Sequence, residues 1–516
     1  MSMASDDAIH LDGRTGEGGG QLVRIAIALA SVAGKPVKIT DVRGNRPGPR
    51  GGGLKSQHFT SIAWLAKATG ADVKGLEVGS KTLEFRPTRG PGQLRERNMT
   101  IRAESAAASA LLVFQAVLPF LLFAGNESGE PVELTISGGT NVSFSPSYEY
   151  LDQVLLPALE GWFGVRVERR INGRGWSLGP ASRGSLWFRV QPVSLGETLR
   201  LREGLEIAPR PGDLDIKTID VTIITPSNMH AELEAALRQR LEKDFPGVEC
   251  DFRPPEESKH ESRIYVLLVA KSATLRWGRD VLYNRKRKGK TVATLSEEVA
   301  RDVTKSLAEE ISAGGVVDEF LQDQLVIFQA LAEGRTSFPR SRPEGQGHDE
   351  QGPAAIEDGL DGLHIGDGLR ADRTGKPFGD QETDSTHTQT ARWVTAEVLE
   401  PQLTWTCTEG DCWEEKADTR NPKLAKTGWF NRSTSALSDD DEEDESWDTE
   451  IYGKEERHLL LSVEPYHVTD FVELVEAGRD AFVQKNPDEE SRVYPRDFYD
   501  IIHQGPAVLV RRAWCA

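Results

Sequence analysis

The run Ala106–Gly125 carries no charged residue and is about long enough to cross a bilayer. It forces a choice between a membrane segment and a helix buried in a protein core. Gln115 and Pro119 interrupt the run, Ser109 adds a further polar position, and no other stretch comes close to it in apolar length. A buried core helix is therefore expected, with no membrane partner. At 516 residues, 38% hydrophobic and 28% charged, the chain is long enough for two or three domains with cores of their own. A wholly disordered or fibrous protein is excluded.

The formal charge of −19 argues at first against a polyanion as partner. Its distribution reverses that reading. Residues 336–385 carry −6 and residues 406–516 carry −13, so the rest of the chain is neutral, and residues 1–110 sum to +6. The acid sits in two appendages, and the body keeps a basic N-terminal third.

Four cysteines, Cys250, Cys407, Cys412 and Cys515, are too few for a disulfide framework, and none has metal-ligand spacing. A reducing compartment follows. The chain begins Met1-Ser2-Met3-Ala4-Ser5-Asp6-Asp7, without the basic and then apolar regions of a secretory or transit signal. The expected location is nuclear or cytoplasmic, not secreted.

A weak internal repeat organises the body: an apolar helix, a short strand, a loop and a second helix. The first copy predicts helices at Gln21–Ala33 and Ser56–Thr69 around a strand at Val37–Asp41. The second predicts helices at Ala106–Phe123 and Ser147–Phe163 around a strand at Val132–Ser137. The third predicts helices at Val317–Leu331 and His387–Leu399. Residues 192–308 read as a separate small α/β unit, with strands at Ile219–Ile224 and Ile264–Ala270 and helices at Met229–Lys243 and Leu295–Ile311. Residues 336–384 are rich in Gly, Pro and charge and read as a solvated, disordered insertion. Residues 406–516 form an acidic, largely disordered extension containing the run Asp439–Glu445, with an apolar element near His458–Val483. The body then comprises 8–191 and 309–405.

Gly16-Glu17-Gly18-Gly19-Gly20-Gln21 follows a short apolar strand, Ala8–Leu11, and opens the helix that carries Arg24. Glycines let backbone amides approach an anion at a helix start. Taken alone, such a turn is more often purely structural than a binding site. The next loop adds Arg43, Arg46, Arg50 and Lys55, then Gln57-His58 at a helix start; arginine forks suit phosphate oxygens, and solvated surface charge is the alternative. His387 begins another apolar-periodic segment, where Ser385 or Thr386 can cap the helix and the macrodipole favours a neutral, nucleophilic imidazole; alone, a histidine there is more often a surface residue than a nucleophile. The basic run Arg285–Lys290 fits a nuclear address, a nucleic-acid contact or a solvated loop.

In this order the motifs resemble the RNA 3′-terminal phosphate cyclase family. The carriers are Leu11-Asp12-Gly13, Gly16–Gln21 with Arg24, Val42-Arg43 with Arg46, Gln57-His58, Leu112-Val113-Phe114-Gln115 with Leu118-Pro119, Gly138-Gly139-Thr140-Asn141 with Pro146, Phe320 with Asp323-Gln324-Leu325, and His387. The resemblance implies an α/β (α+β) fold of three repeated units, each of two helices on a four-stranded sheet, with a smaller α/β domain inserted before the third. It implies an ATP-dependent ligase-type enzyme that cyclises an RNA 3′-terminal phosphate through a histidine–AMP adduct, with Mg²⁺ accompanying ATP. By position His387 matches the nucleophile. Gln115, Pro146, Phe320, Asp323 and Gln324 match the nucleotide pocket, and Glu17, Gln21, Arg24, Arg43, Arg46 and His58 match the polar cluster around the phosphates. No residue is implied as a protein metal ligand.

The chain departs from the family pattern at Ala108, in Leu178–Gly184, in an extra stretch within Pro47–Gly53, and in the insertion and tail. A non-catalytic branch of the same fold, acting in ribosome assembly, is the alternative; it lacks the nucleophilic histidine.

Overall fold

The first two repeats fold to the same plan because each supplies the same order of elements. In the computed structural model, which describes residues 7–46, 51–106, 108–202, 212, 214–285, 289–338, 385–400, 403–407 and 415–418, the first repeat holds β1 (Ile9–Asp12), α1 (Gly20–Ala33), β2 (Val37–Thr40), α2 (Ser56–Thr69), β3 (Asp72–Lys74) and β4 (Leu83–Arg86). The second holds β5 (Asn98–Arg102), α3 (Ala110–Leu122), β6 (Val132–Gly138), α4 (Tyr148–Tyr150), a π-helical turn (Leu151–Leu155), α5 (Leu156–Phe163), β7 (Arg166–Gly173) and β8 (Gly184–Gln191). The strand orders are β1-β2-β4-β3 and β5-β6-β8-β7. In each sheet the first pair is parallel, joined across a helix, and the others are antiparallel.

Helix α3 is the uncharged run, begun by Ser109, whose hydroxyl accepts the Leu112 amide. It packs against α1, α2, β6 and β8, with the Phe114 and Phe188 rings stacked at 4.0 Å. Of its thirteen residues only Gln115 escapes full burial. A helix apolar all round belongs inside a protein, and among the described residues no helix is long and apolar enough to cross a membrane.

The inserted unit contains β9 (Leu199–Arg200), β10 (Thr218–Thr225), α6 (His230–Asp244), β11 (Glu249–Phe252), β12 (Glu256–Glu257), β13 (Tyr265–Lys271), β14 (Arg276–Leu282) and α7 (Val292–Ser312). Apart from β9, its strands form one sheet ordered β11-β10-β13-β14, with β12 also on β10. Strand β13 is apolar at nearly every position because both faces are covered. Ile264, Val266, Leu268 and Ala270 enter the unit's own core under α6 and α7, while Tyr265, Leu267 and Val269 enter the core of the body. The flanks of the basic run are ion-paired on the surface of α7, Arg285 with Glu298 and Asp302, and Lys290 with Glu298. That pairing fits the solvated-loop alternative; residues 286–288 lie outside the described residues.

Among the described residues the third repeat does not form a four-stranded sheet of its own. It holds α8 (Glu319–Leu331), β15 (Ala332–Glu333), β16 (Arg335–Ser337), α9 (Thr386–Leu399), β17 (Thr404–Cys407) and β18 (Glu415–Asp418). Strand β15 pairs in parallel with β9, whereas β16, β18 and β17 make a separate antiparallel sheet. Gly334, at φ 99°, turns the chain between β15 and β16, a conformation that L side chains rarely adopt, and so splits the strand. The expected start of the tail, residue 406, falls inside β17, and β18 pairs with it. Most of 336–384 and all of 419–516, including the acidic run and His458–Val483, lie outside the described residues.

Candidate active site

Helix α9 packs against both α1 and α8, which brings the first turns of α1 and α9 together. Ser385 caps α9, its hydroxyl accepting the Thr388 amide at 3.1 Å. His387 follows in the first turn, with Nδ1 at 3.1 Å from Gln21 Oε1 on α1. An amide oxygen only accepts, so Nδ1 carries the proton and Nε2 presents a lone pair. The residue is exposed at the cleft edge, yet protein crowds the ring. Desolvation first, then the charges of Arg24 and Arg46, pull its pKa down to about 4, against an opposing pull from Glu319.

The Gly-rich turn is locked to the histidine helix. Thr390, one turn after His387, accepts the Glu17 amide at 2.7 Å and donates to Thr386 O at 2.6 Å. A Cβ on Gly16, at φ 61°, would meet the Thr390 hydroxyl at 2.2 Å, and one on Gly18, at φ 57°, would meet the Asn45 side chain at 2.2 Å. Glycine at these two positions therefore serves close approach as well as backbone shape. The Glu17 carboxylate pairs with Arg46. Burial lowers the pKa of both Arg43 and Arg46 below the usual arginine value.

Arg24 lies behind the turn. Burial lowers its pKa to about 10, opposed by Asp323 and reinforced by Arg43, so it stays cationic at neutral pH. His58 is buried, and its Nδ1 accepts the Lys55 amide at 3.1 Å. Its Nε2 therefore carries a proton, lies beside Gly20 and Arg24, and has no hydrogen-bond partner among the described residues. Burial, then Arg24, Arg43 and Lys55, hold this ring neutral with a pKa well below the histidine range. Arg43, at φ 55°, donates to the carbonyls of Gly51 at 2.7 Å and Gly53 at 3.2 Å. It thus latches its own loop across the extra stretch, whose residues 47–50 are outside the description.

The nucleotide-pocket candidates gather on α3 and α8. Gln115 donates to Gln324 Oε1, and Gln324 donates to Asp323 Oδ1 at 2.6 Å. Burial pushes the Asp323 carboxyl up to about 7, against the Gln324 hydrogen bond and Arg24, with Asp318 and Glu319 pushing the same way as burial. Phe320 is 47% exposed and makes an edge contact with Tyr150. Pro146 sits in the loop after β6, next to Ser145, which bonds Ser109 at the start of α3. On the same loop Phe144, not singled out in the sequence, is 72% exposed at φ 61°. At the two remaining departures the backbone is well bonded: Ala108 O accepts the Gly139 amide at 2.7 Å, and Trp176 and Ser182 exchange amide bonds of 3.0 and 3.1 Å.

The site thus joins His387, Gln21, Arg24, Arg46, Glu17 and His58 at the ends of α1 and α9, with Asp323, Gln324 and Gln115 alongside. The family model described as RNA 3′-terminal phosphate cyclase matches residues 15–347, more than half of the chain. The chain belongs to the RNA 3′-terminal phosphate cyclase family. It is 36% identical over 326 residues to the RNA 3′-terminal phosphate cyclase of Thermococcus onnurineus, covering 63% of this chain and 87% of that protein. The Drosophila melanogaster cyclase is 30% identical over 345 residues, 65% of this chain and 87% of that protein. The Hyperthermus butylicus cyclase is 34% identical over 342 residues, with the same two shares. His387 lies beyond the matched segment of the cyclase model; the bond to Gln21 and the Thr390 link tie its helix to the Gly-rich turn within that segment.

Proposed function

We propose that this cyclase-family chain converts an RNA 3′-terminal phosphate into a 2′,3′-cyclic phosphodiester at the expense of ATP. The observation that carries the reading is the His387 ring: neutral, held through Nδ1 by Gln21, with Nε2 free to attack beside Arg24 and Arg46. In the first step Nε2 forms a bond to the α-phosphorus of ATP, and the bond to the pyrophosphate oxygen breaks. In the second an oxygen of the RNA 3′-phosphate attacks that phosphorus, and His387 leaves with its electron pair. In the third the 2′-hydroxyl attacks the RNA phosphorus, loses its proton and expels AMP. Each displacement thereby has a good leaving group.

The residues support these steps by position and charge. Arg24, Arg46 and the Nε2 proton of His58 offer donors to phosphoryl oxygens. Gln21 holds the tautomer that attack requires. Phe320 offers a ring for the base, and Gln115, Asp323 and Gln324 offer polar edges. Mg²⁺ in this reading arrives on the phosphates of ATP. Among the described residues no set of three His, Cys, Asp or Glu side chains stands ready to hold a metal, and no step is assigned to the ion.

Incubation with α-labelled ATP and Mg²⁺ tests the proposal. An acid-labile, base-stable AMP adduct is expected, and His387→Ala removes it. An unlabelled wild-type protein places the chain with the non-catalytic branch, and label persisting in the variant moves the nucleophile elsewhere.

A further inference from the structure

The inserted unit touches the body at the start of the helix that carries Phe320. Asp318 caps α8, its Oδ1 accepting the Leu321 amide at 2.8 Å and the Tyr150 hydroxyl at 2.6 Å. Its Oδ2 accepts the Gly278 amide of β14 at 2.9 Å. Gly278 permits that approach because a Cβ there would meet Val154 at 2.7 Å and Tyr150 at 2.8 Å. The next residue, Arg279, is buried, and its guanidinium carbon lies 4.4 Å from the centre of the Phe320 ring. The same group pairs with Glu310 of α7 and lies 3.3 Å from Glu319 of α8.

We infer that Arg279 is a positioning residue for nucleotide binding, which makes the inserted unit part of the ATP site. Its cation supports one face of the Phe320 ring, and the residue stays 47% exposed, leaving it open to a purine base. A guanidinium over an aromatic face is attracted to the ring quadrupole and fixes the ring without itself touching the ligand. The two carboxylates hold the planar fork, so β14, α7 and α8 are tied together beside the ring. The alternative for such a buried arginine is a purely structural tie between domains. That tie lowers stability when cut but does not act through Phe320.

The inference rests on Phe320 facing the base, as proposed above, and its test is a double-mutant cycle on ATP affinity. ATP binding is measured by calorimetry on the full chain carrying His387→Ala, which stops turnover. Arg279→Met is combined with Glu310→Gln so that no buried carboxylate is left unpaired. This pair is expected to weaken ATP binding about tenfold, within the range of a desolvated cation–ring contact. With Phe320→Ala already present, the same pair is expected to change affinity less than about twofold, because nothing remains to be positioned.

Equal losses in both backgrounds, or no loss in either, overturn the inference. Absence of ATP binding to the parent chain overturns it too. If the pair does not fold, Arg279→Lys keeps a cation near Glu310, and a loss of about threefold that vanishes with Phe320→Ala is expected. Self-labelling of the wild-type chain is scored separately, so failure of the proposed chemistry and failure of the Arg279 role are told apart.

Discussion

Lowering the pH should leave the first chemical step unusually undisturbed. With its pKa pulled down to about 4, His387 would enter the proposed first step already neutral. At pH 5 about 90% of a histidine with that pKa is unprotonated, against about 3% for one at the ordinary value of 6.5. Single-turnover labelling of the full chain at subsaturating ATP with excess Mg²⁺, where the rate reports the free protein, quenched in base to protect the adduct, should fall by less than about a factor of two between pH 7 and pH 5. An unperturbed histidine predicts a fall of more than twentyfold over the same span. Arg46→Gln removes one of the two cations acting on the ring and leaves Glu17 without that partner, so the acid limb should move towards neutral pH. Circular dichroism at each pH confirms that the fold persists. An acid limb centred between pH 6 and 7 in the wild-type protein would refute the reasoning, because burial and Arg24 would then not be acting on this ring.

Thr390→Val deletes the acceptor of the Glu17 amide; it should cost about 1–3 kcal/mol in denaturant unfolding and slow labelling, and an unchanged rate would detach the Gly-rich turn from catalysis. The Asp323 carboxyl has a folded pKa near 7, above its unfolded value of 3.8; its contribution to stability is therefore lost as pH rises from 3.8 through 7. Asp323→Asn should accordingly stabilise the protein by on the order of 4 kcal/mol at pH 8 and by less than about 1 kcal/mol at pH 4, which melting curves at the two pH values check. A chain ending at residue 405 loses β18 and half of β17 and should melt about 5 °C below one ending at 418. Both should bind RNA at least as tightly as the full chain at low salt, with the difference fading as salt is raised; weaker binding by the chain ending at 418 would count against an inhibitory acidic tail.

Much of the fold was legible because its helices are periodic and apolar. Helix α2 begins and ends where the spacing puts it, and α1, α6 and α9 differ from it by a residue at one or both ends. The start of α3 was misplaced because Ala106–Ala108 are as apolar as the helix, and only the Ser109 cap divides them. Strands β3, β7 and β14 were hidden by their charges. Asp72, Lys74, Arg166, Glu168 and Arg170 face outward from edge strands, and Arg279 points into an ionic junction between domains. The site was legible as an ordered set of motifs, but not the parts made by tertiary contact. No pattern links Thr390 to Glu17, which lie 373 residues apart. Nor does any spacing tell that Arg43 holds its own loop, or that His58 is both a capping residue and a buried donor.

The joining of α1 to α9 sets when in the life of the polypeptide a working site can exist. Gln21 and His387 are 366 residues apart, and Lys35 reaches the carbonyls of Val398 at 2.9 Å and Glu400 at 3.0 Å to fasten the far ends of the same two helices. During synthesis the first two repeats and, apart from β9, the inserted unit emerge with their own sheets and helices complete, while the apolar flank of α1 waits for a helix that comes only after residues 336–384. Contacts of such long range form slowly, and a nascent chain exposing that flank is prone to association. His387, the proposed nucleophile, is thus delivered late, and on the proposed chemistry no ribosome-bound fragment ending before α9 can charge itself with AMP.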